Sequence, residues 1–398
     1  MRCSNDILFQ RAYIYGYLNV YFGDALLKPS NKSYKTYKLQ KLSSYLNLSK
    51  ELTQFLIKVS GLIKFVELFL SYVILVYRFL LLLARKLFTV KQELINKTLL
   101  LGSNEVKTMQ LLDAAKIKQD NIIVITVPFI DSKIYKGLNQ KKLLSLIDTQ
   151  DIIKSFYLSV QTIYIIYKKY HKRDFLFRSY SSFEFYLSAF FTLKSDKSNS
   201  FIYTSLNTRW SYLHGMISNY TVFLQHGLVS LDGFFMKKIG NVDFAYYINE
   251  EQKEVCETVL FYNKPDFNYL ESIKYSLYPE KDKVNILLIC NNIFHDKETE
   301  IISLIGNNSA VRLFVKPHPH DRNLFLYNDL QKEYGFVILG QTDFPKVDLV
   351  ISYHSTLAIE YSAMGVNVVY HDTENFNLRK EIADNIQIPC QFNEYFKR

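Results

Sequence analysis

Three short segments place side chains that handle phosphate or protons directly after apolar runs. The first segment, KPHPH at residues 316–320, follows the apolar run VRLFV. Lys316 is a positive charge suited to a phosphate or pyrophosphate group, and His318 is a hydrogen-bond donor or general acid for the leaving group. Pro317 and Pro319 restrict the backbone on both sides of His318, and Pro319 is predicted to line the nucleotide-sugar site. The alternative is a solvated strand end that contains a histidine by chance.

The second segment is SYHSTLAIEYSAMG at residues 352–365, which begins where the run VDLVI ends. Ser355 and Thr356 stand at the predicted start of a helix, where backbone N–H groups and small hydroxyls bind phosphate with help from the helix dipole. Glu360 follows in the same helix and is placed to accept hydrogen bonds from ribose hydroxyls or a base edge. The alternative is an ordinary cap on an amphipathic helix.

The third segment, TVFLQHGLVSLDGFF at residues 221–235, again ends an apolar run with polar residues. Gln225 and His226 are predicted to contact the nucleotide sugar or the reacting atoms, and Gly227 lets the backbone approach a ligand closely. Asp232 places a carboxylate on the rim of the same cleft. The alternative is that Asp232 belongs to a turn and that His226 is a buried histidine with satisfied hydrogen bonds.

Several enzyme classes lack their characteristic motifs in this sequence. The motifs GxxxxGK[ST], GxGxxG after the first strand, HExxH and GxSxG are missing, which disfavours P-loop, dinucleotide-binding, zinc-protease and α/β-hydrolase functions. No DxD pair follows a strand, and the four cysteines form no CxxC pair. We therefore predict no metal site, no disulfide framework and a reducing cytoplasmic location. The first ten residues, MRCSNDILFQ, do not have the pattern of a secretion signal.

The elements that must position these segments are short apolar runs separated by helix-length spacers from residue 98 onward. This alternation predicts an α/β fold with parallel sheets, in which ligands bind at the carboxyl ends of the strands. The polar stretch at residues 264–283 carries two prolines and is interpreted as a connection between domains. We predict a helical N-terminal extension over 1–95 and two Rossmann-like domains over 96–270 and 271–398. The candidate strands are 98–103, 121–129, 200–206, 221–227, 242–248, 284–290, 311–319, 335–340, 347–355 and 365–371.

The first hundred residues carry all of the excess positive charge of the chain. They contain 15 Lys and Arg against 5 Asp and Glu, while the other 298 residues have 33 of each sign. This asymmetry indicates an anionic partner, and the absence of a nucleic-acid motif favours a lipid surface over nucleic acid.

Residues 54–88 are apolar, but their longest uncharged run has only 10 residues, so we expect them not to cross a membrane. On a helix most of their charges share one edge. The segment then either lies in the membrane interface with this basic edge near lipid phosphates or packs inside the N-terminal domain. The residues of the charged edge are Lys64, Glu67, Arg78, Arg85 and Lys86.

The segments FLQHG (223–227), FVKPHP (314–319) and SYHSTLAIEYSAMGVNVV (352–369) resemble bacterial GT-B glycosyltransferases of capsule and lipopolysaccharide biosynthesis, especially those that use CMP-activated Kdo, sialic or pseudaminic acid. The resemblance covers about residues 200–372. It implies two Rossmann-like domains facing across a cleft. It also implies that His318 contacts the nucleotide phosphate and that Ser355 and Thr356 hold the phosphate or the sugar carboxylate. In sialyltransferase relatives an acidic Asp-Gly motif supplies the base, and Asp232 matches it in part.

The resulting hypothesis is an inverting, metal-independent transfer of a sugar from a CMP-linked donor, without a cofactor, to a lipid-linked or polymeric glycan. The enzyme would be peripheral on the inner face of the cytoplasmic membrane. Two alternatives remain open at this point. One is a CDP-polyol phosphotransferase of the teichoic-acid type, and the other is a non-catalytic GT-B-like subunit of a polysaccharide assembly.

Overall fold

The computed structural model describes residues 4–26, 49–101, 105–129, 138–170, 181–204, 209–229, 238–271, 274–279, 282–291, 294–318, 324–353, 355–371 and 377. The chain divides into two compact units, Met1–Leu270 and Glu271–Arg398. We call them the N-terminal unit and the C-terminal unit. Residues 1–95, predicted as a separate extension, belong to the first of these units.

The N-terminal unit is built on a seven-stranded sheet in which every pair of neighbouring strands is parallel. The strand order is β3-β2-β1-β4-β5-β6-β7, so the direction of winding reverses between β1 and β4. The strands are β1 (Thr98–Leu101), β2 (Ile122–Thr126), β3 (Asn139–Lys142), β4 (Ser200–Tyr203), β5 (Thr221–Leu224), β6 (Phe244–Tyr247) and β7 (Asp266–Tyr269).

Both faces of this sheet are buried, which explains why its central strands are continuous apolar runs. Leu99 and Leu101 of β1 belong to one hydrophobic cluster, and Leu100 between them belongs to another. Successive side chains of a strand point to opposite faces, so the alternation places a core on each side of the sheet. The helices of this unit are α1 (Ser4–Leu26), α2 (Lys50–Leu87), α3 (Glu105–Ala114), α4 (Thr149–Tyr170), α5 (Ser182–Lys194), α6 (Arg209–His214) and α7 (Glu250–Val259).

Helices α1 and α2 pack into the core of the N-terminal unit. Phe9 and Tyr13 of α1 and Leu75 and Leu82 of α2 are buried in the same cluster as Leu99 of β1. Residues 54–88 were predicted either to lie in the membrane interface or to pack inside the N-terminal domain. One side of α2, like one side of α1, does pack inside the domain.

Two residues of the predicted charged edge of α2, Arg78 and Lys86, are directed toward the protein, whereas Arg85 is exposed. Arg78 forms an ion pair with the buried Glu184 of α5, and Lys86 Nζ donates a hydrogen bond to the Leu144 carbonyl at 3.0 Å. Desolvation would otherwise make the buried carboxylate unfavourable, so the ion pair fixes the rotation of α2 about its axis. The segment Leu68–Leu87, with mean hydropathy 1.9, is long and apolar enough to cross a membrane by length and composition, a test that core helices also meet.

The C-terminal unit contains a five-stranded parallel sheet with the order β10-β9-β8-β11-β12. The chain forms the central β8 first and then adds β9 and β10 on one side of it. It next adds β11 and β12 on the other side of β8, so the direction of winding reverses between β8 and β11. The strands are β8 (Val284–Ile289), β9 (Val311–Lys316), β10 (Val337–Ile338), β11 (Leu349–Ser352) and β12 (Asn367–Tyr370). The helices are α8 (His295–Ile305), α9 (Leu324–Tyr334) and α10 (Thr356–Ala363).

All ten predicted strands are present, and the predicted α/β class with two Rossmann-like parallel sheets is confirmed. Two strands were missed, β3 with the sequence NQKK and β7 with DFNY. Both lie at sheet edges, where side chains need not be apolar because no further strand or helix has to cover them. Strand β7 also occupies the start of residues 264–283, which were interpreted as a connection.

Candidate functional site

The carboxyl ends of the C-terminal strands bring together two of the three predicted segments. His318 lies two residues after the end of β9. Ser352 is the last residue of β11, and Ser355 follows it, so all three residues lie at the same edge of the sheet. Strands β9 and β11 both pair with β8, which puts them about 10 Å apart at the usual strand spacing. Winding reverses between β8 and β11, and this is where doubly wound sheets bind ligands.

The start of α10 confirms Ser355 as the predicted N-cap. Ser355 Oγ accepts a hydrogen bond from the Ala358 N–H at 3.2 Å and lies 3.0 Å from Ser352 Oγ. The N–H groups of Thr356 and Leu357, in the first turn, have no partner within the helix by the geometry of any helix start. Both residues are partly exposed.

Glu360 lies in the second turn of α10 and is partly exposed. Its position in the same helix as Ser355 agrees with the predicted arrangement. A contact between Glu360 and a ribose or base stays a prediction.

Lys316 holds a loop, and this corrects its predicted role as a phosphate ligand. Its Nζ donates to the carbonyl oxygens of Gly340 at 2.8 Å, Gln341 at 3.2 Å and Asp343 at 2.8 Å, and it lies 4.5 Å from the centre of the Phe344 ring. An ammonium has three N–H donors, and all three are used. Burial lowers the pKa of Lys316 to about 8, while the nearby Asp343 carboxylate acts in the opposite direction.

His318 is partly exposed two residues beyond the end of β9, so the anchored Lys316 fixes the strand end from which it projects. Its predicted contact with a nucleotide phosphate stays a prediction. Pro319, predicted to line the same site, lies outside the described residues.

The third segment lies at the carboxyl edge of the N-terminal sheet, next to the point where that winding reverses. His226 follows β5, and its Nδ1 forms a hydrogen bond with the Thr204 carbonyl at the end of β4. A carbonyl only accepts, so Nδ1 carries the proton, and in the neutral ring Nε2 is the basic nitrogen. His226 and Gly227 are both partly exposed.

Gln225 is wholly buried, which corrects its prediction as a ligand contact. Its Nε2 donates to the Gly227 carbonyl at 3.0 Å and to Gln252 Oε1 at 2.8 Å, and its Oε1 accepts from the Ile248 N–H at 3.1 Å. Gln225 therefore braces the loop that carries His226. Asp232 lies outside the described residues, so its role as the base stays a prediction.

Sequence reasoning missed a buried carboxylate at the switch point of the C-terminal sheet. Glu298 Oε1 accepts from the N–H of Asn291, directly after β8, at 2.6 Å, and Tyr327 Oη donates to Glu298 Oε2 at 2.9 Å. His295 Nδ1 and His371 Nε2 each lie 3.9 Å from a Glu298 oxygen. The i, i+3 spacing of His295 and Glu298 was the only local signal, because the other partners come from distant segments.

Burial raises the pKa of Tyr327, so its hydroxyl stays protonated and donates to Glu298. The arrangement fixes the backbone where β8 ends, beside the start of α10.

A cavity of about 220 Å³ lies elsewhere, among residues that precede β5 and β6 and a face of α1. It is at the amino edge of the N-terminal sheet, so it belongs to neither group of carboxyl-end residues. Among the described residues, no group of three or more His, Cys, Asp or Glu side chains is arranged to hold a metal ion.

No known protein family and no curated protein matches this chain. Among solved structures, remote similarities in chain path are found. The wall teichoic acid polymerase TagF is 12% identical with a TM-score of 0.39, over 77% of this chain and 78% of TagF. MurG of Acinetobacter baumannii is 10% identical with a TM-score of 0.36, over 72% of this chain and 83% of MurG. A UDP-N-acetylglucosamine 2-epimerase is 10% identical with a TM-score of 0.36, over 74% and 82% of the two chains.

Proposed function

We propose that this chain is a GT-B type glycosyltransferase that moves a sugar from a nucleotide-linked donor to a bacterial surface glycan. The observation that carries the proposal is the start of α10, capped by Ser355 at the reversal of winding in the C-terminal sheet, with His318 at the same edge.

The donor phosphate binds at the first turn of α10. The N–H groups of Thr356 and Leu357 point along the helix axis, and the helix dipole adds a partial positive charge at this end. No acidic residue lies in the first turn, so nothing there repels an anion. Ser355 is already used as the cap, and its role is to fix the direction of these N–H groups.

His318 assists the departure of the nucleotide. In a direct displacement, the acceptor oxygen forms a bond to the anomeric carbon while the bond from that carbon to the phosphate oxygen breaks. Negative charge therefore develops on the leaving phosphate, and a hydrogen bond or a proton from His318 stabilises it. One displacement of this kind inverts the anomeric configuration.

A base in the N-terminal unit removes the proton from the acceptor hydroxyl. His226 is suited to this task because the Thr204 carbonyl fixes the proton on Nδ1 and leaves Nε2 as the basic nitrogen. Asp232, six residues later in the sequence, is the other candidate that the sequence supplies.

The donor that we propose is a CMP-linked acidic sugar such as Kdo, sialic acid or pseudaminic acid, used without a metal ion. The acceptor is a lipid-linked or polymeric glycan of a capsule or lipopolysaccharide, at the inner face of the cytoplasmic membrane. Support for this choice comes from the three sequence segments 223–227, 314–319 and 352–369 that resemble enzymes of this group.

The experiment is to incubate the purified protein and a glycan acceptor with CMP-Kdo, CMP-sialic acid, CMP-pseudaminic acid, UDP-sugars or CDP-glycerol, with and without EDTA. Mass spectrometry of the products separates the possibilities. We expect the mass of one acidic sugar to be added, CMP to be released, and EDTA to have no effect. Addition of glycerol phosphate would assign a polyol phosphotransferase instead. If no nucleotide binds and nothing is transferred, the proposal is wrong.

A further inference from the structure

One face of α2 is exposed over 19 residues of the helix and carries no charged side chain. At 100° per residue its members fall within a sector of about 120°, and they extend along about 27 Å of the helix. A surface helix of a soluble protein normally exposes polar residues, and an exposed apolar patch of this extent marks a site of interaction. We call this surface the outer face of α2, and it consists of Phe69, Leu70, Val73, Val76, Tyr77, Leu80, Ala84 and Leu87.

The outer face of α2 is continuous with a basic and aromatic surface on α4. The two helices run side by side, with the rings of Phe79 and Phe156 stacked at 4.3 Å and Tyr72 Oη donating to the Val160 carbonyl at 3.4 Å. Helix α4 has a single acidic residue, Asp151, which is buried and paired with Lys194. The exposed side of α4 presents Ile153, Lys154, Tyr157, Tyr164 and Lys168.

We propose that the outer face of α2 and the exposed side of α4 dock on an anionic lipid bilayer, with α2 lying in the plane of the membrane. The aliphatic side chains enter the boundary between headgroups and acyl chains. Tyrosine rings are favoured at that depth, and the two lysines of α4 reach lipid phosphates. Residues 68–88 contain no Asp or Glu, so no carboxylate opposes an anionic surface along this part of α2.

The opposite side of α2 determines that the helix lies flat. Leu75 and Leu82 are buried in the core of the N-terminal unit, and Arg78 is paired with the buried Glu184. If α2 crossed the membrane instead, both leucines would leave the protein core and Arg78 would separate from Glu184. The buried carboxylate would then have no opposite charge beside it, which costs a large free energy.

Charge argues for lipid over a second copy of this chain as the partner. In a symmetric dimer the same surface meets itself, so Lys154 and Lys168 would approach their own copies or solvent without an acidic partner on α4. An anionic bilayer supplies the opposite charge.

The test uses the full-length protein and two matched double variants. Leu70→Glu with Leu80→Glu places charges on the outer face of α2, at positions 48% and 58% exposed. Leu304→Glu with Leu326→Glu makes the same change at exposed leucines of α8 and α9, at 44% and 39% exposure. Binding to vesicles of phosphatidylcholine alone, or with phosphatidylglycerol, is measured by sedimentation at low and physiological salt. Circular dichroism and thermal melting check that each variant folds.

We expect the wild type and the α8/α9 variant to bind the anionic vesicles equally, and the α2 variant to bind at least about tenfold more weakly. Binding of the wild type should weaken with added salt and on neutral vesicles. Equal binding by the α2 variant, or no binding by the wild type, would overturn the proposal. So would a dimer of the wild type in solution that the α2 substitutions dissociate without any change in vesicle binding. The outcome is independent of sugar transfer, because no donor or acceptor is present.

Discussion

The carboxyl edges of the two sheets are built alike and differ in the charge at the start of the helix beside them. In each unit a long polar side chain at a strand end is buried and anchors a loop, Gln225 in one and Lys316 in the other, and a partly exposed histidine follows. At the C-terminal edge this is combined with a helix start that is capped by Ser355 and has no acidic residue in its first turn. Helix α7 of the N-terminal unit is also capped, by Asn249, but it opens with Glu250 and Glu251. This difference is the reason for proposing that the C-terminal edge binds the anionic donor and that the N-terminal edge supplies a base.

The largest effects are expected from the two histidines. His318→Ala removes the group that stabilises the leaving phosphate, and His226→Ala removes a base, so each should lower kcat by about 10²- to 10⁴-fold. The two variants should differ in nucleotide binding, because only His318 is assigned to the donor. Isothermal titration with CMP should therefore show weaker binding for His318→Ala and unchanged binding for His226→Ala.

If His226→Ala weakened CMP binding and His318→Ala did not, the N-terminal edge would bind the donor and the C-terminal edge would supply the base. Thermal melting of both variants is the control, since both side chains are partly exposed and their loss should leave the folded units intact.

The two anchoring residues should affect stability more than chemistry. Lys316→Met removes the ammonium that donates to three loop carbonyl oxygens. Gln225→Leu leaves the Gly227 carbonyl and the Ile248 N–H without their partner, while Gln252 Oε1 still accepts from the Val229 N–H. Each buried polar group left unsatisfied costs about 1–3 kcal/mol, so we expect Gln225→Leu to lose roughly 3 kcal/mol. Lys316→Met should lose less, because Gly340 and Gln341 are exposed and water can reach their carbonyls.

The single tryptophan, Trp210, is in α6 of the N-terminal unit and allows the two effects to be separated. In guanidinium titrations, Gln225→Leu should shift the fluorescence transition of Trp210. Lys316→Met should leave the fluorescence transition unchanged. It should shift only the part of the circular-dichroism transition that comes from the C-terminal unit. A fluorescence shift for Lys316→Met and none for Gln225→Leu would contradict the assignment of the two anchors to separate units.

The same contrast explains what the sequence can and cannot predict. The central strands were predictable because burial on both faces requires continuous apolar runs, as in Leu99, Leu100 and Leu101 of β1. The cap at Ser355 was predictable because an N-cap depends only on the next three residues. Edge strands such as β7 were missed because their exposed side chains carry no apolar pattern.

The directions of charged side chains could not be predicted, because each depends on a partner far away in the chain. Lys316 turns inward to carbonyls more than twenty residues later, and Arg78 of α2 turns inward to Glu184 of α5. The environment of Glu298 could not be predicted for the same reason, because its neighbours His371 and Tyr327 come from distant parts of the sequence. A charge pattern along one element therefore shows which residues share an edge, and the tertiary partner decides where that edge points.

Two wholly buried histidines, one in each unit, extend the comparison to pH. His371 lies 3.9 Å from the Glu298 carboxylate, whereas neither ring nitrogen of His214 has a hydrogen-bond partner among the described residues. Burial lowers the pKa of His214 from 6.5 to about 3. The unfolded chain therefore binds a proton below about pH 6.5 that the folded chain does not.

The contribution of His214 is fully present above pH 6.5 and is lost as the pH falls toward 3, with a slope of about 1.4 kcal/mol per pH unit. His214→Phe should remove this slope, since the ring stacks on Tyr203 at 4.8 Å and a phenyl group keeps that contact. Urea titrations from pH 7 to pH 4.5, followed by Trp210 fluorescence, measure it. An unchanged slope in the variant would show that His214 does not stay neutral.

The smallest effects are expected at the two helix caps, and they test whether the first turn of α10 is the anion site. Ser355→Ala and Asn249→Ala each remove one side-chain acceptor, from the Ala358 N–H and the Gln252 N–H respectively, and each should cost about 1 kcal/mol of stability. Their effects on the nucleotide should differ. Without its cap the first turn of α10 is less well ordered, so CMP should bind more weakly to Ser355→Ala, by about three- to tenfold. Asn249→Ala should bind CMP as the wild type does, because Glu250 and Glu251 already exclude an anion from that helix. If both variants lose the same CMP affinity, the loss reflects stability alone, and the donor phosphate binds somewhere other than the start of α10.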